Sequence, residues 1–77
     1  MINIRFQSNG DRVNYITETS ETISNFLNRN SLSDPNALAM INGITVSRGE
    51  YNKTFAEFGV EDGTEPIMCM TVKTTNA

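Results

Sequence analysis

Ile2-Asn3-Ile4-Arg5-Phe6-Gln7-Ser8-Asn9-Gly10-Asp11-Arg12-Val13-Asn14-Tyr15 is the stretch whose reading decides the architecture of this chain. Apolar Ile2, Ile4 and Phe6 alternate with polar Asn3, Arg5 and Gln7, the period of two that sends successive side chains to opposite faces of a strand. Ser8-Asn9-Gly10-Asp11 then brings an Asn-Gly dipeptide, the chemistry of a two-residue hairpin turn. A return strand is expected from Arg12 to about Thr17, with Val13 and Tyr15 on one face and Asn14 and Ile16 on the other. Ile16 is expected toward solvent.

Moving outward, Thr19-Ser20-Glu21-Thr22 opens a helix over residues 21–30. Thr19 or Ser20 supplies the capping oxygen, and Glu21 suits the positive end of the helix dipole. Ile23, Phe26 and Leu27 recur at helical spacing and form its apolar stripe. Asn28 and Asn30 are weak helix formers, and Asp34-Pro35 lies within an irregular connection. Ala37 to Val46 reads as a second hairpin around Asn42-Gly43. Pairing Ile41 with Ile44 across that turn sets Met40 opposite Thr45 and Ala39 opposite Val46. Residues 47–63 form a long connection with one helical turn at 52–58, closed by Gly59 in the left-handed conformation. The last strand is expected over Ile67 to about Val72, with Pro66 at its entrance.

The fold class is therefore α+β: a mixed four- or five-stranded sheet with one main helix packed on one face. One domain over residues 1–73 and a frayed tail at 74–77 account for the chain. The expected core is Ile4, Val13, Ile23, Phe26, Leu27, Ile41, Val46, Phe55, Val60 and Ile67. With Ile67 inward, Cys69 is inward too, while Met68 and Met70 face away.

Composition narrows the chemistry. The chain has 77 residues, 38% of them hydrophobic and 19% charged, which is ordinary for a globular domain. Its net charge of -3 and scattered basic residues argue against nucleic acid as a partner. Glu57, Glu61, Asp62 and Glu65 gather late in the chain and read as a solvated turn, the alternative being a surface for a basic partner. No apolar run reaches the roughly 20 residues needed to span a bilayer, and the first residues lack a signal-peptide pattern, so a cytoplasmic location without membrane insertion is expected. With no histidine and one cysteine, the chain cannot build a Ser-His-Asp or Cys-His nucleophile or a Cys/His zinc site. No catalytic role, cofactor or metal is expected.

The order hairpin, helix, hairpin, helical turn and strand resembles the ββαββ pattern of the ubiquitin-like β-grasp superfamily. Glu18-Thr19-Ser20-Glu21-Thr22-Ile23 resembles the helix entrance of ubiquitin, and Thr54-Phe55-Ala56-Glu57-Phe58-Gly59-Val60 resembles its Thr-Leu-Ser-Asp-Tyr-Asn-Ile segment. Ala39-Met40-Ile41-Asn42-Gly43-Ile44-Thr45-Val46-Ser47-Arg48, with Asp62-Gly63, is similar to the sulfur carriers of thiamin and molybdopterin synthesis. The resemblance implies parallel first and last strands at the sheet centre. It also implies, in carriers and modifiers, adenylation of a C-terminal Gly-Gly. Thr74-Thr75-Asn76-Ala77 carries no such motif, so that chemistry is not expected here.

In ubiquitin the docking patch is formed by an isoleucine before the second hairpin's turn and by outward positions of the last strand. The resemblance places Met40 at that isoleucine and Met68 and Met70 at the outward positions, with Leu38 on the same face. Exposed methionines are flexible and polarisable and suit adaptable recognition. The expected function is a non-catalytic protein–protein interaction module with an unidentified protein partner, such as an accessory subunit of a bacterial secretion or mobile-element system. The alternatives are a carrier or modifier homologue without the Gly-Gly tail, and a structural homodimer using the methionine face.

Overall fold

A computed structural model describes residues 1–8 and 10–72, with Thr71 and Val72 described by backbone alone. The tail expected at 74–77, and Asn9 of the first turn, lie outside the described residues. Strands β1 (Ile2–Ser8) and β2 (Asp11–Thr17) form the first hairpin, in unbroken register from Ile2 opposite Thr17 to Ser8 opposite Asp11. Helix α1 (Ile23–Arg29) leads to β3 (Ala37–Ile41) and β4 (Ile44–Thr45). A 3₁₀ turn at Arg48–Glu50, the short helix α2 (Phe55–Phe58) and β5 (Ile67–Val72) complete the order. The sheet runs β2-β1-β5-β3-β4, with β1 and β5 parallel and the other neighbours antiparallel. The chain is thus α+β, with a mixed five-stranded sheet and one main helix. The second hairpin pairs Ile41 with Ile44 and Met40 with Thr45, as its Asn-Gly turn predicts, and Asn42 (φ 51) and Gly43 (φ 81) both take the positive φ that such a turn needs.

The helix begins later than expected, and the reason is tertiary. Thr22, rather than Thr19 or Ser20, is the cap: its hydroxyl accepts the Asn25 N–H at 3.1 Å. The first two helical N–H groups would otherwise be orphans. They donate to a distant segment, Ile23 to the Lys53 carbonyl at 3.0 Å and Ser24 to the Tyr51 carbonyl at 2.8 Å. Helix α2 returns the arrangement. Phe55 N–H donates to the Glu21 carbonyl at 3.1 Å, Ala56 N–H donates to that of Thr19 at 3.0 Å, and Thr54 caps Glu57 N–H at 3.1 Å. At its far end α1 stops through a left-handed residue. Ser31 (φ 58) lets its own N–H reach the Asn28 carbonyl and lets Leu32 N–H reach that of Leu27 at 2.8 Å. Glycine would hold that conformation without the steric cost that serine bears.

One face of the sheet carries the core. Ile2, Ile4 and Phe6 from β1, Ala39 and Ile41 from β3 and Met68 from β5 are buried against Ile23, Phe26 and Leu27 of α1, with Val46, Phe55 and Val60 closing the side. Four aromatic rings cross this layer edge to face: Phe6–Tyr15, Tyr15–Phe26 and Phe26–Phe55, at centroid separations of 6.1, 5.7 and 5.4 Å. Two expected core positions are corrected. Val13 does pair with Phe6, but it lies on the edge strand and stays 48% exposed. Ile67 is 43% exposed while Met68 is fully buried, so the parity of β5 is the reverse of that expected. The register explains it, since Met68 stands beside Phe6 and opposite Ile41, both inward.

These assignments separate sharply by mutation. Met68→Glu would bury an unpaired carboxylate, and thermal melts should show loss of the cooperative fold. Ile67→Glu, one residue away, should shift stability by about 1 kcal/mol or less. Ser31→Gly should raise the melting temperature, a gain of about 0.5–1 kcal/mol from relief of left-handed strain.

Candidate functional site

The face of the sheet opposite α1 has no element packed on it among the described residues. Its side chains follow from register. Asn3, Arg5 and Gln7 point to it from β1, Ile67 and Cys69 from β5, Leu38 and Met40 from β3, and Arg12, Asn14 and Ile16 from β2. One row crosses the strands as Gln7, Cys69, Met40 and Thr45; the next sets Arg5 beside Ile67. Leu38, Met40, Cys69 and Ile67 are therefore adjacent on two neighbouring central strands, and none is in the core. Ile67 is held at both backbone groups by the second turn: its N–H donates to Asn42 Oδ1 at 3.0 Å, and its carbonyl accepts the Asn42 N–H at 2.8 Å. The apolar surface is thereby fixed to a rigid turn.

The sequence-based site is half assembled. Leu38 and Met40 lie on the open face as expected. Met68 and Met70 do not join them: Met68 is core, and Met70 is half-buried on the helix side, opposite Ala39. Cys69, expected to be a buried structural thiol, is half-exposed on the open face. Ile67 and Cys69 thus take the places assigned to the two methionines. The pairing Met40 opposite Thr45, which was legible, fixes the outward side of β3, but no sequence feature says which β5 residue stands opposite Met40.

Charge on this face is cationic although the chain is acidic. Arg5, next to Ile67, and Arg12, next to Gln7, are both exposed. An ionic cluster centred on Glu21 lies elsewhere and ties the end of β2 to α1. Glu21 accepts a forked pair from Arg29 at 2.6 and 2.8 Å, an Asn25 amide N–H at 2.5 Å and the Thr17 hydroxyl. The Arg29 guanidinium, opposed by burial and aided by the Thr17 and Asn25 donors, holds the Glu21 carboxyl down at about 2. Serine 47 donors likewise hold Glu50 below the usual carboxylate range, and Tyr51 Oη accepts the Ala39 N–H at 3.0 Å. On the helix side a concavity of about 300 Å³ lies among Leu27, Ala37, Tyr51 and Met70, with Asp34 and Arg48 also lining it. Among the described residues no group of three or more His, Cys, Asp or Glu is placed to hold a metal ion, and no helix is long and apolar enough to cross a membrane.

Compared with known proteins, the chain matches no family model and no curated protein.

The Glu21 cluster gives a signed pH dependence. Its carboxyl titrates lower folded than unfolded, so the stabilisation is complete above the ordinary value of 4.5 and is lost as pH falls toward about 2. Glu21→Gln should lower stability at neutral pH by roughly 1–2 kcal/mol, because Arg29 and Thr17 lose a charged acceptor. The gap between variant and wild type should close between pH 4.5 and 2, read from denaturant midpoints.

Proposed function

We propose that the chain is a ubiquitin-like β-grasp module that binds a protein partner through the open sheet face, without catalysing a reaction. The observation that carries this reading is the cluster of Leu38, Met40, Ile67 and Cys69 on adjacent central strands, beside Arg5. A small domain with one core needs its apolar residues for that core, yet this one clusters these four on the uncovered side, with Ile16 of β2 on the same face. The parallel β1–β5 pair, the helix across one face and the capped Thr54–Gly59 turn support the β-grasp reading. The position of Met40 before the second turn supports the correspondence with the docking isoleucine of ubiquitin.

The chemistry of the face selects its partner. A complementary surface would present an apolar ridge to Met40 and Ile67, with a carboxylate placed to meet the Arg5 guanidinium at the edge. Methionine adapts to the ridge, and the rim charge contributes register and association rate more than affinity.

Met40→Glu and Ile67→Glu should each leave the thermal melt within about 1 kcal/mol of wild type and abolish partner capture from extracts of the native host. Cys69 supplies a second readout on the same face. Its alkylation by a maleimide, followed by intact mass, should slow when the captured partner is added. Capture that survives both substitutions, with Cys69 labelled as fast in the complex as alone, would refute the proposal.

A further inference from the structure

The two edges of the sheet differ. At one end β4 is only two residues long, and the 3₁₀ turn follows two residues after it. At the other, β2 is a seven-residue strand in unbroken register with β1, containing no proline and no lysine. Edge strands are ordinarily protected by such residues, by bulges or by brevity. β2 has no bulge and is not short, and its two charges, Asp11 and Arg12, sit at its turn end and leave the central Asn14 and the following Ile16 unguarded.

Its hydrogen-bonding groups can be assigned by alternation. Asn3 N–H donates to the Thr64 carbonyl at 3.2 Å and Arg5 N–H to that of Pro66 at 2.9 Å, so the odd-numbered residues of β1 are turned to the β5 side. The even-numbered ones are turned to β2. Ile4 pairs with Tyr15 and Phe6 with Val13, so the odd-numbered residues of β2 are used within the hairpin. Arg12, Asn14 and Ile16 therefore direct both N–H and C=O outward along the open edge.

We infer that this edge pairs with the same edge of a second copy of the chain, antiparallel about Asn14. In that register Asn14 meets Asn14 across a two-fold axis, and Arg12 of each copy meets Ile16 of the other. Each outward N–H and C=O gains a backbone partner, and no other register engages all three residues of both copies. The side chains agree with it. On the helix side, exposed Val13 meets the second copy's Tyr15; on the open side, exposed Ile16 meets the aliphatic stem of Arg12. Like charges do not oppose one another, since Asp11 meets Thr17 and Arg12 meets Ile16. An interface of this isologous kind closes at two copies.

The two-fold axis lies perpendicular to the sheet, because paired residues share a face. The two sheets become one continuous sheet with both Leu38–Met40–Ile67–Cys69 patches on the same side. Two patches on a rigid support favour a bivalent partner. The inference itself rests on β2 alone and stands or falls independently of that use.

Sedimentation of the full chain from about 10 µM to about 1 mM tests it, since mass action must shift a dimer over that range. The expected mass rises from 8.6 kDa toward twice that value. Asn14→Pro removes an N–H that the hairpin does not use, so it should keep the fold and remain monomeric throughout. Ile16→Lys places a charge on the edge and should do the same. Amide exchange distinguishes the edge from other surfaces: protection of Arg12, Asn14 and Ile16 should appear only as concentration rises, while that of Val13 and Tyr15 is present at all concentrations. A monomer at 1 mM would overturn the inference. So would a dimer that both variants retain, or one that forms without new protection at those three amides.

Discussion

Four backbone carbonyls, those of Thr19, Glu21, Tyr51 and Lys53, fill the first hydrogen-bonding positions of two helices that neither helix could fill for itself. Every α-helix begins with N–H groups that lack intrahelical partners. Here the segment before α1 serves α2 and the segment before α2 serves α1, and Thr22 and Thr54 meet in an isolated antiparallel bridge. The exchange does more than cap. It brings together two stretches of chain more than thirty residues apart, and so determines where the long connection after the second hairpin crosses the core. Phe55 follows Thr54 directly, and its ring reaches Phe26 because the two entrances are bound. The aromatic series from Phe6 to Phe55 is thus a consequence of backbone hydrogen bonding as well as of apolar burial. The cap threonines act separately, each within its own helix, Thr22 on Asn25 N–H and Thr54 on Glu57 N–H, while the backbone exchange ties the two helix entrances together.

Such a core is strictly one-sided. Both helices contribute to the inner face, and the strand residues buried in it come from β1, β3 and β5, with Tyr15 of β2 packed against them. Among the described residues no helix covers the other face. Side-chain chemistry then decides what that face becomes. In β1 and β2 it is mainly polar, with Asn3, Arg5, Gln7, Arg12 and Asn14. In β3 and β5 it is apolar, and the boundary between the two runs between Arg5 and Ile67. That split, rather than total exposed apolar area, is what gives the face a direction and a place for a partner to sit.

The elements themselves were readable from local chemistry. The Asn42-Gly43 turn fixed the register of the second hairpin, since a two-residue turn leaves one pairing, and Gly59 marked the end of α2 with its φ of 107. Where reading failed, the missing information was non-local. Ile67-Met68-Cys69-Met70 has no polar residue to mark an outer side, because a central strand can be apolar on both faces; alternation gives a period and no phase. The phase comes from Phe6 and Ile41, which no local pattern connects to Met68. In the same way Glu18-Thr19-Ser20-Glu21-Thr22 offers several residues able to cap, and Lys53 and Tyr51 select Thr22. Half of the proposed site was legible for this reason: Leu38 and Met40 belong to a strand with a turn to fix it, whereas Ile67 and Cys69 depend on the sheet.

The same contrast between local and non-local determination bears on the open edge. β2 is paired with β1 on one side and, among the described residues, with no strand on the other, and its inner side chains are only partly covered, with Tyr15 half-buried and Val13 exposed. An edge like this is costly to leave unprotected, since its free groups form a template for any extended segment. A charged or kinked residue at Asn14 would have blocked it at no cost to the hairpin, whose hydrogen bonds run through Val13 and Tyr15. Its absence is explained if the edge is already committed to its own copy. Self-pairing then protects the strand as a lysine would, while leaving the Met40–Ile67 patch on β3 and β5, beyond β1, free for a different partner.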